Sequence, residues 1–409
     1  MSVENGRRHL AILVLALTLA AAGGCGTPGQ GSPSLVSPSA TATSTSTAPI
    51  HRTPLPATPV PLSAAQAAVP CLAQSTGGPF LASDGSHIVC DGHPVELTGF
   101  TFYPALLGGA KAWHDPNFPA YIDHVLDMGV AAGQNLVRAT DQWDSHASGQ
   151  VADDPIVWSN MDYLIKAARQ RGVFVVVDLS AFRWLLLSQG ADPSRPEAWT
   201  SFIRFVADRY RDDDAVAFYS IAGEPTPPRN AAQMSALVDF YRSTSETLRQ
   251  ADPNHLITAG GFNHMEDEAP GLDWWQQIDA LPANDIVAVK TYSKNDLALM
   301  PAIADYAASV ARPVVDEEFG MPQGFGDATF AGGAAYNGLT TGRAPFFESV
   351  YSTGRKLGFA GFVFWNMGCQ TGRTSYEVSP RTPSVWNVIV RNGAVEPPAG
   401  ATASSALCS

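Results

Sequence analysis

Residues 215–225 read AVAFYSIAGEP, and residues 312–320 read RPVVDEEFG. Each is an apolar run that ends on carboxylates beside glycine or proline. Charged residues make up only 15% of the chain, and a polar group at the end of an apolar run costs free energy unless it is paired. Runs that are apolar on both faces read as parallel strands covered by helices. Ala215–Ile221 and Pro313–Glu318 are two such strands, and six more runs share their character: Val95–Phe100, Asn135–Ala139, Val173–Asp178, Leu256–Gly260, Asp285–Thr291 and Gly361–Trp365.

Amphipathic stretches of helical length lie between them, near 117–130, 156–171, 197–211, 232–250, 272–280, 299–310, 344–357 and 383–391. In MDYLIKAARQRG (161–172) the apolar residues recur at i, i+3 and i+4, and Gly172 suits a C-terminal cap. Eight strand–helix pairs predict an α/β fold, a single (β/α)8 TIM barrel. Ahead of the first strand, PFLASDGSHIVCDGHPVEL (79–97) predicts one or two short hairpins that turn at Asp84-Gly85 and Asp91-Gly92. This N-terminal β-hairpin element is expected to plug the N-terminal mouth of the barrel.

Barrel enzymes carry their chemistry at the C-terminal ends of the strands. Here those ends offer Arg138 on the second strand, Asp178 on the third, Glu224 after the fourth, Tyr292 after the sixth, Glu318 on the seventh, and Trp365 and Asn366 at the eighth. Such a cluster of polar groups at one mouth signals an active site.

The rest of the chain narrows the class. Residues 1–25 hold Arg7 and Arg8, the run LAILVLALTLAAA, then Gly23-Gly24-Cys25, which reads as a signal peptide with a lipobox whose lipidation residue is Cys25. Residues 26–69 are rich in Pro, Ser and Thr and nearly uncharged, so they read as a disordered linker. Residues 70–409, about 340 residues, suit one barrel with loop insertions. The expected location is extracellular, tethered to the membrane only through the lipid anchor, and the expected state is monomeric. Export favours disulfides among Cys71, Cys90, Cys369 and Cys408, with three pairings open. The net charge of −13 argues against nucleic acid as a partner. The cysteine spacings match no zinc pattern, no HExxH helix or phosphate loop is present, and neither a metal nor an organic cofactor is implied.

The order of strand-GEP (223–225), K-x-Y (290–292), VVDEEFG (314–320) and FVFWN (362–366) resembles the clan A retaining glycoside hydrolases, and glycoside hydrolase family 5 in particular. DPNHLITAG (252–260) further resembles its mannanase-like branch. The resemblance runs from about Phe80 to about Val390 and implies a polysaccharide substrate, with Glu224 as general acid/base and Glu318 as nucleophile. Two such carboxyls suffice to protonate a leaving oxygen, attack the anomeric carbon and activate water. Glu317 is the neighbour that could be confused with Glu318. Regular alternation along a strand would let only one of them face inward, and the match to Glu-Phe-Gly selects Glu318. The resemblance further implies that Arg138 and Tyr292 hold Glu318 and that Trp365 floors the sugar. Trp143, Trp184, His264 and Trp113 fall in expected mouth loops that could line neighbouring sugar sites.

Three positions depart from the family pattern. Gly223 stands where the family has Asn, Lys290 where it has His, and Ser180 where many endoglucanases have His. Glycine has no side chain to hold a sugar hydroxyl. Lys290 and Tyr292 are two apart and share a face, so a cation there favours carboxylates and opposes the protonated form an acid catalyst needs. The leading expectation is a β-1,4-glycan hydrolase, mannan before glucan. A glycan-binding lipoprotein on the same barrel is the alternative. An exo-acting or transglycosylating enzyme is a third reading, motivated by the long glycine-rich insertion at 320–342.

Overall fold

The computed structural model describes residues 78–104, 107, 109–140, 155–180, 196–225, 227–262, 274–325, 336–397 and 408. The leader, Cys25 and the linker lie outside the described residues. Eleven strands are described: β1 (Leu81–Ser83), β2 (Ile88–Cys90), β3 (His93–Pro94), β4 (Leu97–Phe102), β5 (Leu136–Ala139), β6 (Phe174–Asp178), β7 (Val216–Ser220), β8 (Leu256–Thr258), β9 (Val287–Thr291), β10 (Val314–Phe319) and β11 (Gly361–Phe364). The α-helices are α1 (Pro119–Ala131), α2 (Pro155–Gln170), α3 (Pro196–Tyr210), α4 (Ala231–Ala251), α5 (Trp274–Asp279), α6 (Lys294–Ser309), α7 (Arg343–Lys356) and α8 (Pro383–Arg391).

Strands β4 to β11 form one parallel sheet in the order β8-β7-β6-β5-β4-β11-β10-β9. Its two ends meet through parallel bridges Thr258–Ile286 and Phe262–Val289, so the sheet closes on itself as the (β/α)8 barrel expected from the sequence. All eight strands are buried along their length, because barrel side chains cover one face and helices the other. That explains unbroken apolar runs instead of alternation. The first barrel strand starts later than expected. Val95 donates its N–H to Ile88 O within the preceding sheet, and the barrel begins where Leu97 N–H reaches Ala360 O.

The small antiparallel sheet β1-β2-β3 holds the two expected hairpins, which share β2. Asp84 Oδ1 accepts the N–H groups of Ser86 and His87 at the first turn, and Asp91-Gly92 adopts the left-handed conformation at the second. Gly78 N–H donates to Asp214 Oδ2 at 2.5 Å, and the Phe80 ring meets the His255 ring edge-on at 5.0 Å. Asp214 and His255 lead into β7 and β8, so this sheet sits at the N-terminal end of the barrel. Cys369 and Cys408 form a disulfide, and Cys90 is also disulfide-bonded.

Trp113 corrects an expectation. It is fully buried, edge-on to Phe102 at 5.6 Å and to Phe118 at 5.0 Å. A fully buried aromatic packed edge-on against two core rings serves packing, not a sugar platform at the mouth.

Helices α1 and α7 approach the barrel at glycines. A Cβ at Gly129 would lie 2.2 Å from Phe100 Cε1 of β4, and one at Gly354 would lie 2.4 Å from Phe362 Cε1 of β11. Alanine is the better helix former by about 0.8–1 kcal/mol, whereas overpacking a tight core costs about 1–3 kcal/mol. The packing term wins, so Gly129→Ala lowers the thermal midpoint. Differential scanning calorimetry beside the wild type checks this.

Candidate active site

The site begins with a buried charge. Arg138, on β5, is 2% exposed. Its Nη2 pairs with Asp178 Oδ2 of β6, its Nε lies 3.0 Å from Glu317 Oε1, and its Nη1 donates to Glu318 Oε2 at 2.5 Å. Burial works against its charge, but Asp178, Glu318 and Glu317 more than offset this and raise its pKa. A guanidinium presents its donors in a rigid planar fork, so one arginine ties three carboxylates on two strands into a single unit.

Both Glu317 and Glu318 reach Arg138, which corrects the expectation that only one could face inward. The cause is a bulge in β10. Asp316 pairs with Val289 of β9, and the next pair is Glu318 with Lys290, so Glu317 is an extra residue in the register. The same irregularity lies between Asp316 and Phe319 against β11. A bulge inserts one unpaired residue and re-aims its neighbours. Alternation therefore fails where two adjacent acids are needed on one side.

Among the described residues, Glu318 accepts three side-chain donors. Oε2 receives Arg138 and, at 2.8 Å, Lys290 Nζ, while Oε1 receives Tyr292 OH at 2.6 Å. Burial pushes its carboxyl up, but the Lys290 and Arg138 charges and the Lys290 and Tyr292 hydrogen bonds bring it down to about 2. Glu317 shows the opposite balance: burial raises its pKa despite Arg138. Burial and the Glu318 charge push Tyr292 well above the ordinary phenol value, so its hydroxyl keeps the proton it donates.

Local sequence places Tyr292. Ser293 caps α6 by accepting Asp296 N–H at 3.0 Å, and Asp296 Oδ2 accepts Tyr292 N–H at 2.8 Å. This reciprocal cap is a property of the stretch YSKND, and it fixes where the chain leaves β9. Asn337, in the insertion after β10, donates its Nδ2 to Tyr292 O at 3.2 Å.

Glu224 follows β7 in a left-handed conformation with φ of 52°, which is uncommon for a residue with a Cβ. Its backbone is held by the continuing parallel pairing: Ile221, Ala222 and Glu224 donate to Thr258, Ala259 and Gly261 carbonyls. Lys290 Nζ lies 3.7 Å from Glu224 Oε1 and 2.8 Å from Glu318 Oε2. Those two oxygens can be no farther apart than the two distances together, about 6.5 Å.

Aromatic residues gather around Gly320, next to the strand that carries Glu318. Trp365 stacks on Tyr103 at 5.4 Å, and the Trp365-Asn366 peptide is cis. Tyr376 meets Tyr292 edge-on at 6.1 Å and shares a 2.5 Å hydrogen bond with Tyr336 of the insertion. Gly320 makes this crowding possible, since a Cβ there would lie 2.8 Å from Trp365 O and 3.3 Å from both tyrosine rings.

The structure thus brings together Arg138, Asp178, Glu224, Lys290, Tyr292 and Glu318, with Trp365 beside them. Trp143, Trp184 and His264 lie outside the described residues. Sequence reasoning missed Tyr103, Tyr336, Tyr376 and the inward placement of Glu317. Tyr103 stands at the end of the first barrel strand and carried the same signal as Arg138. Tyr336 and Tyr376 carried none, because they come from irregular loops.

Removing one member of a buried ion cluster leaves the others uncompensated, a cost of about 3–5 kcal/mol. Arg138→Met therefore destabilises the fold by that order, as read from urea unfolding at neutral pH. The same substitution in an Asp178→Asn background costs less, because fewer carboxylates are then left unpaired.

The family model for cellulase (glycosyl hydrolase family 5) matches residues 90–326, more than half of the chain. The chain is 29% identical over 298 residues to a "Probable mannan endo-1,4-beta-mannosidase C" of Aspergillus terreus, covering 57% of this chain and 72% of that protein. It is 23% identical over 382 residues to mannan endo-1,4-beta-mannosidase 1 of Oryza sativa, covering 77% and 85%. The crystal structure of an endo-1,4-beta-mannanase from Rhizomucor miehei superposes with a TM-score of 0.58 at 16% identity, over 77% of this chain and 98% of that one, and supports the fold. With the strand-end acids placed by an eight-stranded barrel and a family model spanning most of that barrel, the chain belongs to glycoside hydrolase family 5.

Proposed function

We propose that this glycoside hydrolase cleaves β-1,4-linked mannan-type polysaccharide with retention, by double displacement between Glu318 and Glu224. The observation that carries this reading is that Lys290 bridges two glutamates at the barrel mouth, one of them firmly held. Glu318 is held as a carboxylate by Arg138, Lys290 and Tyr292, and Glu224 stands within about 6.5 Å of it. Mannan is preferred to glucan because the matched relatives of Aspergillus terreus and Oryza sativa are named as mannosidases.

In the first step Glu318 attacks the anomeric carbon while Glu224 gives its proton to the leaving oxygen. In the second, Glu224 takes a proton from water, and the hydroxyl displaces Glu318 from the sugar. Among the described residues, Glu318 Oε2 already accepts from Arg138 and Lys290, whereas Oε1 accepts from Tyr292 alone. Oε1 is therefore the oxygen with acceptor capacity left for attack. Lys290 Nζ lies nearer to Glu318, at 2.8 Å, than to Glu224, at 3.7 Å. Trp365, stacked on Tyr103, presents a flat apolar surface of the kind a sugar face packs on. We further place the enzyme outside the cytoplasm, tethered through Cys25; the Cys369–Cys408 disulfide supports an oxidising compartment.

The purified protein is expected to release reducing sugar from mannan or glucomannan, with less from cellulose and none from xylan. Glu318→Ala and Glu224→Ala should each lower kcat by about a thousandfold or more, in line with removal of an essential group. Proton NMR of the first product should show the β-anomer. First appearance of the α-anomer would overturn retention. Binding of mannan without turnover would replace the enzyme reading with glycan capture.

A further inference from the structure

Two departures from the family pattern turn out to be one structural feature. Lys290 is 3% exposed, yet it carries four methylenes and a charge into the barrel mouth, and something must make room for them. A Cβ at Gly261 would lie 2.6 Å from Lys290 Cγ and 3.2 Å from its Cε. A Cβ at Gly223 would lie 3.1 Å from Lys290 Cε and 3.2 Å from its Nζ. One glycine thus borders the middle of the lysine stem and the other borders its tip. Both lie on the segments paired beside β9: Glu224 N–H reaches Gly261 O, and Lys290 N–H reaches Phe262 O.

We infer that Gly223 and Gly261 form a glycine-lined slot for Lys290, and that the seated ammonium is the positioning residue for the nucleophile Glu318, occupying space that a side chain at 223 would otherwise fill. Gly223 is then not a lost contact but the condition for a different one. This inference rests on the retaining-hydrolase reading for its catalytic part and on packing geometry for its structural part, so the two can be tested apart.

The electrostatic consequence follows from what faces Glu318. Arg138 comes from β5 with Asp178 of β6 behind it, Lys290 from β9, Tyr292 from the position just after β9, Glu317 from β10, Glu224 from the turn after β7, and Tyr376 from the loop after β11. Arg138 is shared among three carboxylates, so Lys290 is the cation that Glu318 shares with the fewest competitors. Without it, burial raises the pKa of the nucleophile again, and the acid limb of kcat/KM moves up towards the ordinary carboxyl value of 4.5.

The test is a cycle of Gly223→Asn, Lys290→His and the double variant, with Lys290→Met beside it, read by thermal midpoint and by the pH profile of kcat/KM on mannan. Gly223→Asn alone is expected to lower the midpoint, and to lower kcat/KM by about tenfold or more, because a misplaced acid or nucleophile of even about 1 Å is that costly. In the double variant the shorter histidine frees the slot, so midpoint and kcat/KM recover above those of Gly223→Asn. Additive effects would overturn the slot. Lys290→Met keeps the stem without the charge; it is expected to lower kcat by about a hundredfold, as for loss of one preorganised donor, and to raise the acid limb. An unmoved acid limb would overturn the positioning role. If Gly223→Asn does not fold, recovery of folding in the double variant supports the slot, and failure of both while Lys290→His folds overturns it. If the wild type turns over no polymer, the hydrolase reading fails by itself, and coupling in the thermal midpoints still decides the slot.

Discussion

The buried guanidinium of Arg138 is the interaction on which the rest of the mouth depends. A cation this far from water persists only with counter-charges at contact distance, and here these are Asp178, Glu317 and Glu318. Two different devices deliver them. Asp178 is the last residue of β6 and needs only the regular strand. Glu318 and Glu317 need the bulge in β10, since an unbroken strand would send one of them to the helix side. Charge compensation at Arg138 therefore sets the register of the seventh barrel strand where the chemistry sits.

Room is the second constraint. Helices α1 and α7 come close enough to cover the barrel only because Gly129 and Gly354 leave space for Phe100 and Phe362. At the mouth the same device serves function: Gly320 lets Trp365 and two tyrosines converge, and Gly223 with Gly261 admits Lys290. Missing side chains set how closely charged and aromatic groups can approach. They do so at the cost of backbone freedom that the parallel pairing of 221–224 with 258–261 must restrain.

Much of the barrel was legible in the sequence. Strands buried on both faces leave runs such as VFVVVD that no surface element tolerates, and helices leave a 3.6-residue period. The placement of Arg138, Glu224, Tyr292 and Glu318 followed from the rule that barrel chemistry collects at strand ends. Three things escaped this reasoning. Glu317 was assigned to the wrong side because a bulge has no local signature in VVDEEF. Trp113 was assigned to the mouth because a tryptophan's side chain does not say whether rings such as Phe102 and Phe118 will enclose it. Tyr336 and Tyr376 meet across the mouth from loops with no period to read.

The sequence by itself determined the fold class and the order of elements, because hydrophobic periodicity is a property of neighbouring residues, and its resemblance to the family at Gly-Glu-Pro and Glu-Phe-Gly picked out the two candidate acids. Only the tertiary structure decided which charges meet. Lys290 alone reads as a cation that disturbs an acid catalyst, and Gly223 alone reads as a missing amide. The pairing of two segments that follow β7 and β8 brings them together, so that a Cβ at 223 would lie 3.2 Å from Lys290 Nζ, and they become one arrangement. Such contacts depend on distances between residues 67 positions apart (223 and 290), and local patterns of hydrophobicity and propensity carry no information about those distances.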